Sequence, residues 1–343
     1  MNRKVPVYWL LLALVIPIVI CYYLVLNRPV VVAAEEKPCD VYNSITNYRM
    51  QNYEFARPLL YYDVTSEDYR LAALKSRIET YIESKKHDNA LTVASVYLRK
   101  GGGWFSINKD EQFKPASMQK VPIMITYLKD AEKNPSLLDK SLYFDRHFGE
   151  LPKQNVKVFS LQEHKNYPIR ELLKYMIAYS DNDALNLLYQ NMNNNTFRQL
   201  FVDLNLPVPD LEKDNYTIDV MDYAKFFRVL INATYLNNDL SELALKMLSE
   251  STYQDGIARN LGKDVKIAHK FGERGEGNVR ELHEFGIIYK GRRAYILGIM
   301  TRGRDFKELS DVLAGISDIV AADNTPDNAN SFQGKPMATS VNK

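Results

Sequence analysis

The sequence predicts an α+β fold in which one antiparallel sheet, built from both ends of the chain, carries an all-helical lobe inserted between its strands. Two observations predict it. Strand-like segments at 91–98 and 104–107 are followed by helix after helix, and extended segments return only at 265–269, 282–290 and 293–301. Strands and helices therefore do not alternate, which excludes a doubly wound parallel sheet. In a two-lobed assembly of this kind a cleft runs between sheet and helices.

Each element has its own signal. Residues 66–86 show helical period, with Leu71, Leu74, Ile78, Tyr81 and Ile82 on one face and Thr65 or Ser66 as cap. The segment 91–98 is rich in Val, Leu and Tyr, Gly101-Gly102-Gly103 supplies a turn, and Trp104 to Ile107 returns as its hairpin partner. Helices are expected at 118–131, 168–179, 183–192, 197–204, 219–234 and 241–249, with Pro168 suited to a first helical position. After the late strands, 306–321 closes as an amphipathic helix. Residues 323–343, rich in Asn, Asp, Ser and Pro, are expected as a disordered tail, and 27–60, with Pro29, Pro38 and Pro58, as a linker. The folded domain is thus expected at 61–322, with no internal repeat.

Composition narrows the function. The chain has 343 residues, 44 Lys+Arg against 42 Asp+Glu, and a net charge of +2, which excludes the strongly basic balance of a dedicated nucleic-acid binder. A charged fraction of 25% with 11% aromatics argues against global disorder. Cys21 and Cys39 are too few for a disulfide framework or a cysteine zinc site.

Residues 5–26 are all apolar or aromatic. As a helix these 22 residues span ~33 Å, against a hydrocarbon core of roughly 30 Å. Tyr8, Trp9, Tyr22 and Tyr23 stand near the two ends, and Arg3 and Lys4 precede the run, which favours a cytoplasmic N-terminus and an exported remainder. Residues 1–26 are therefore read as a transmembrane anchor or uncleaved signal, with the bulk of the chain extracytoplasmic, in the periplasm or at the cell surface. The rival is a cleaved signal peptide with Val32-Ala33-Ala34 at its cleavage site, but a signal core is usually only about 7–15 residues.

The sequence has no GxSxG elbow, Walker loop, GxGxxG after a strand, or HExxH. His87, His147, His164, His269 and His283 show no tight ligand spacing, so no metal is expected. Three short motifs occur in order instead: Ser117-Met118-Gln119-Lys120 at a helix start, Ser180-Asp181-Asn182 between two helices, and Lys270-Phe271-Gly272 at the end of a strand. A serine hydroxyl is a poor nucleophile until a base takes its proton. Lys120 lies one helical turn from Ser117, within reach of its hydroxyl. A lysine acts as base only when neutral, and burial in a cleft beside a second ammonium, Lys270, pushes it that way.

In these motifs and their surroundings, Phe113 to Pro122, Tyr179 to Leu188, Gly256-Ile257-Ala258-Arg259 and Glu281 to Ile287, the sequence resembles the serine β-lactamase and penicillin-binding-protein superfamily, most closely class A β-lactamase-like serine hydrolases. The resemblance covers about residues 60–322 and implies the β-lactamase/transpeptidase-like fold. It implies that Ser117 is acylated, that Lys120 is its base or proton relay, and that Ser180 passes a proton to the departing amide nitrogen. Asn182 would hold the substrate's acyl-amide side chain, and Lys270 its carboxylate. Gly272 completes the third motif, and the backbone N–H groups of Ser117 and Glu273 would form the oxyanion hole. No cofactor is implied.

Two departures qualify the expectation. Phe271 stands where the family has threonine or serine, removing a hydroxyl that helps bind the substrate carboxylate; Arg274 is a candidate substitute. No ExxLN pattern occurs between Asn182 and Lys270, where class A enzymes carry the glutamate that activates the deacylating water; Glu212 is the only glutamate in the short stretch 203–219. The leading expectation is a membrane-anchored hydrolase of small-molecule β-lactams acting through a Ser117 acyl-enzyme. Its rivals are a penicillin-binding-protein-like peptidase acting on the D-Ala-D-Ala stem peptides of peptidoglycan, and a non-catalytic cell-wall-binding module.

Overall fold

The computed structural model describes residues 45–323, apart from 52, 54, 87–89, 150–158, 211, 212, 214, 291 and 292. The expected anchor at 1–26, residues 27–44 of the linker, both cysteines, Glu212 and all but the first residue of the tail lie outside the described residues. Among the described residues no helix is long and apolar enough to cross a membrane.

A five-stranded sheet organises the fold. Strands β3 (Leu91–Lys100) and β4 (Gly103–Ile107) form the early hairpin, and β7 (Lys266–Glu276), β8 (Val279–Lys290) and β9 (Arg293–Gly303) the late meander. The spatial order is β4-β3-β9-β8-β7, antiparallel at every pairing, so β3 against β9 joins the two ends of the chain as expected. Alternation decides what each face packs on. Val96, Leu98, Leu297 and Ile299 face one core with helices α1 (Ala72–Lys86) and α8 (Phe306–Ala321), which bury Leu74, Ile78 and Ile82, and Leu309, Val312, Leu313 and Ile316. Tyr97, Phe285, Ile287 and Met300 face the other core, shared with the helical lobe. The Phe285 ring lies so close over Gly298 that any Cβ there would fall inside it.

The lobe contains α2 (Lys120–Lys133), α3 (Ile169–Ala178), α4 (Asn182–Gln190), α5 (Asn194–Asp203), α6 (Val220–Ile231) and α7 (Asn238–Ser249). A small antiparallel pair, β5 (Ser141–Phe144) with β6 (Lys165–Pro168), crosses its edge. Pro168 is not the first helical residue but the cap of α3, closing β6 in extended conformation. The cap of the first long helical segment is likewise Asp68, whose carboxylate accepts from Arg70 N–H at the head of a 3₁₀ turn (Tyr69–Leu71), not Thr65 or Ser66.

The expected linker carries structure in its second half. Strands β1 (Ile45–Arg49) and β2 (Leu59–Val64) form a hairpin whose inner face stacks Tyr48 on Tyr61 at 4.5 Å between ring centroids. Arg228 of α6 ties it down, donating to Asp63 Oδ2 at 2.6 Å and Tyr62 O at 2.7 Å with its guanidinium 4.0 Å over the Tyr61 ring. These contacts connect residues 165 positions apart, so local pattern cannot announce them.

Candidate active site

Ser117 sits in a one-turn 3₁₀ segment (Ala116–Gln119) that runs directly into α2. The turn is held from several sides. Met118 N–H donates to Pro115 O at 3.0 Å, and the buried Tyr223 hydroxyl of α6 donates to Met118 O at 2.8 Å. On the sheet side, His283 Nε2–H donates to Lys114 O at 3.1 Å while Thr301 N–H donates to His283 Nδ1 at 3.2 Å, which assigns the tautomer. Burial pushes the His283 imidazole down to about 3, so it is a neutral strut. Ala116, immediately before the serine, has φ +49°, a left-handed conformation that costs a non-glycine residue of order 1–3 kcal/mol and is retained only where the surroundings enforce it.

Ser180 shares this feature, with φ +56°, in the short connection between α3 and α4. Asp181 caps α4 by accepting from Ala184 N–H at 2.6 Å, which sets the orientation of its two neighbours. Ser180 and Asn182 both meet Lys120: its ammonium donates to Ser180 O at 2.6 Å, Ser180 Oγ at 3.1 Å and Asn182 Oδ1 at 2.7 Å. Lys120 is thus tied across the cleft to the second motif, contacts that its helical spacing from Ser117 does not announce. Lys270 reaches the same hydroxyl from the sheet, donating to Ser180 Oγ at 3.0 Å and to Phe271 O at 2.9 Å.

Two fully buried amines on one hydroxyl cannot both hold their protons cheaply. Burial lowers Lys120 to about 7, against the opposing pull of the Asp181 carboxylate. Lys270 is also driven well below the usual lysine range, by burial first and then by the Lys120 ammonium, with Glu273 and Glu284 pushing back. The mutual repulsion expected from the sequence therefore shows on Lys270, and burial alone carries the shift of Lys120.

Strand β7 does not end at the third motif but runs through it to Glu276, paired with β8 throughout. Gly272 is where the strand crosses the Ser117 turn: a Cβ there would lie 2.6 Å from Pro115 O and 3.1 Å from Met118 N. Gly272→Ala must therefore push strand and turn apart. We expect it to destabilise the fold by about 1–3 kcal/mol in a melting experiment, and to slow acylation of Ser117 more than its loss of stability explains.

Phe271 is buried and stacked on Tyr253 at 4.2 Å between centroids, 17° from parallel. The Lys270 ammonium lies 4.2 Å from the same ring centroid. The residue that removes a hydroxyl thus adds an aromatic face to the cation. Arg274 is engaged by Glu276 at 3.3 Å, four residues beyond Lys270 along the strand. Glu273 and Asn182 are partly exposed at the cleft rim.

A cavity of about 400 Å³ opens beside the Ser117 turn, lined by Gln119, Pro122, Tyr189, Phe201, Tyr216 and Tyr223 among others. Asp210 is the acidic residue among its described lining, ion-paired with Lys213 at 2.7 Å. Among the supports, sequence reasoning missed Tyr223 altogether, and it named Asp181 and His283 without these roles. A histidine within an apolar strand, as in Leu282-His283-Glu284-Phe285, is the legible signal for the strut at His283.

Known proteins share this architecture. The class A β-lactamase from Bacteroides cellulosilyticus DSM 14838 superposes with a TM-score of 0.61 at 17% identity, over 72% of this chain and 96% of that one. The β-lactamase from Sphaerobacter thermophilus DSM 20745 gives 0.59 at 17% identity, over 71% and 95%. A point mutant of PBP-A, solved as an acyl-enzyme complex with penicillin G, gives 0.60 at 20% identity, over 73% and 95%. Comparison with curated sequences gives no match. The family model described as the beta-lactamase enzyme family matches residues 73–323, from within α1 to just past α8 and across all three motifs, and the chain belongs to that family.

Proposed function

We propose that the protein is an extracytoplasmic serine hydrolase that opens β-lactam amides through an acyl-enzyme on Ser117. The observation that carries this reading is the convergence of Lys120 and Lys270 on the Ser180 hydroxyl, beside the strained turn that presents Ser117. With Lys120 lowered to about 7, a neutral amine is present at physiological pH. Ser117 Oγ attacks the lactam carbonyl carbon, and its proton passes to the Lys120 amine, directly or through Ser180. The negative charge that develops on the carbonyl oxygen falls to the N–H groups of Ser117 and Glu273. As the C–N bond breaks, Ser180 delivers a proton to the departing nitrogen and is reprotonated by a lysine. The product is an ester on Ser117, which water must then hydrolyse. Lys270 and the Asn182 amide bind the substrate's carboxylate and acyl-amide groups.

Slow hydrolysis of that ester is expected, because the chain lacks ExxLN and Asp210 by the turn is already paired. The same observation favours a second reading, a peptidase acting on D-Ala-D-Ala termini that β-lactams only trap. Incubating the full chain with a fluorescent penicillin and, separately, a chromogenic cephalosporin distinguishes the two. Labelling with rapid cephalosporin turnover supports the lactamase, and persistent labelling without turnover the peptidase. No labelling of the folded protein rejects both and leaves a cell-wall-binding module. The membrane anchor is part of the proposal, supported by the uncharged run at 5–26. The full chain should stay with the membrane fraction after alkaline washing, and release into the supernatant contradicts an anchor.

A further inference from the structure

Two residues that the chemistry above does not use bracket Ser180-Asp181-Asn182, Tyr179 before it and Asp183 after it. Both are held by the same stretch of chain, the connection from β5 to β6. On its outgoing arm, Phe148 N–H donates to Asp183 Oδ1 at 2.9 Å, and His147 Nδ1 lies 2.6 Å from Asp183 Oδ2. On its returning arm, the Phe159 ring packs on Tyr179 at 4.7 Å between centroids. Glu163 of the same arm accepts from His147 N–H at 3.1 Å, which ties the two arms together. The Asp183 side chain is buried, whereas the imidazole is half-buried. The hydrogen bond to Asp183 raises His147 above the usual imidazole range against the opposing effect of burial, with Glu163 and Asp181 adding to it, so His147 is the donor of this contact.

We infer that Asp183 and His147 are positioning residues for the second motif: their contact pins the first turn of α4, and with it Asn182 and Ser180, where Lys120 meets them. The kinetic consequence rests on the acyl-enzyme reading above; the structural consequence does not. This corner needs support from outside itself. Ser180 holds a left-handed φ of +56°, which a non-glycine residue keeps only where its surroundings enforce it. The first turn of a helix is also where fraying begins. Within the corner, Asp181 N–H donates to Tyr175 O at 3.1 Å and Asp181 Oδ1 accepts from Ala184 N–H at 2.6 Å, and both bonds are local. Lys120 reaches Ser180 and Asn182 from across the cleft, but it is the amine whose proton the chemistry moves. Thr252 N–H donates to Ala178 O at 2.9 Å, which holds the end of α3 and stops short of the motif. Asp183 is where a separate element grips the start of α4, engaging two successive residues of that element with its two oxygens. Its neighbour along the chain is Asn182, whose Oδ1 accepts from Lys120 at 2.7 Å. A displacement of Asp183 therefore carries Asn182 with it.

The test removes the His147 imidazole, the half-buried member of the pair, from the full chain. His147→Ala should speed amide hydrogen exchange at Asp181 and Ala184 by about tenfold, the factor that one hydrogen bond to a charged partner carries, while the β8–β9 ladder exchanges as before. Benzylpenicillin carries the acyl-amide group that Asn182 would hold, and 6-aminopenicillanic acid lacks it. Acylation by the first should therefore slow about tenfold more than acylation by the second. His147→Asn, whose carboxamide places an N–H where Nδ1–H stands, should restore both exchange and selectivity. A tie that only stabilises the fold would lower the melting temperature and slow the two lactams alike. Folded His147→Ala with unchanged exchange at Asp181 and Ala184, or with both lactams slowed alike, overturns the proposal. If the unmutated chain is not acylated at all, the enzyme reading fails instead, and amide exchange by itself decides whether His147 positions the motif.

Discussion

Ser117→Ala should abolish covalent labelling by penicillin and lower any lactam-opening rate by a factor of about 10⁴ or more, with no loss of fold. The expectation follows from where the serine sits. Ser117 is partly exposed at a turn whose conformation is fixed by Pro115, Tyr223 and, through Lys114, by His283, none of which depends on the Ser117 side chain. Removing one oxygen leaves Ala116 in its left-handed conformation and β7 packed on the turn at Gly272. Melting temperature and labelling, measured on the same preparation, check both halves. If Ser117→Ala still labels, the nucleophile lies elsewhere.

Lys120→Met should slow acylation by about 10²–10⁴-fold and change how stability depends on pH. Folded Lys120 gives up its proton near pH 7, whereas in the unfolded chain it holds it to about 10.4. Between those values the unfolded state binds the extra proton, so Lys120 makes the fold more stable as pH rises through this window. Below pH 7 the amine is charged in both states and the folded chain bears the cost of burying it. Lys270, shifted in the same direction, contributes a similar slope. The unmutated chain should therefore melt at higher temperature at pH 9 than at pH 6.5, after correction for its other groups. In Lys120→Met that gain should shrink, and the acylation profile should lose its acid limb near pH 7. An unchanged slope would mean that Lys120 is not the group titrating in that range.

Periodicity in the sequence is a sound guide where one helix buries one face. The closing helix occupies 306–321 as expected, with Leu309, Val312, Leu313 and Ile316 inward. Reasoning of this kind stops at interactions between distant residues. The β1–β2 hairpin reads as linker because its anchor, Arg228, belongs to another helix. Strand β7 reads as ending at the third motif because Gly272, Gly275 and the charges between them look like a turn; the ladder with β8 is what extends it. The three motifs are legible as motifs, and their order is informative. Their geometry is not: helical spacing relates Lys120 to Ser117 but gives no sign that its amine also donates to residues 60 and 62 positions on. Phe271 likewise reads as a missing hydroxyl, and only the stack with Tyr253 and the nearby ammonium shows what the ring does instead.

Everything proposed for the cleft rests on covalent acylation of Ser117 by a β-lactam. Intact-mass measurement of the full chain after incubation with penicillin, followed by peptide mapping, tests that step most directly. The expected result is a mass gain equal to the whole penicillin, since the ring opens without losing an atom, located on the peptide that carries Ser117. Folded protein that gains no mass, or an adduct mapped to any other residue, would contradict it.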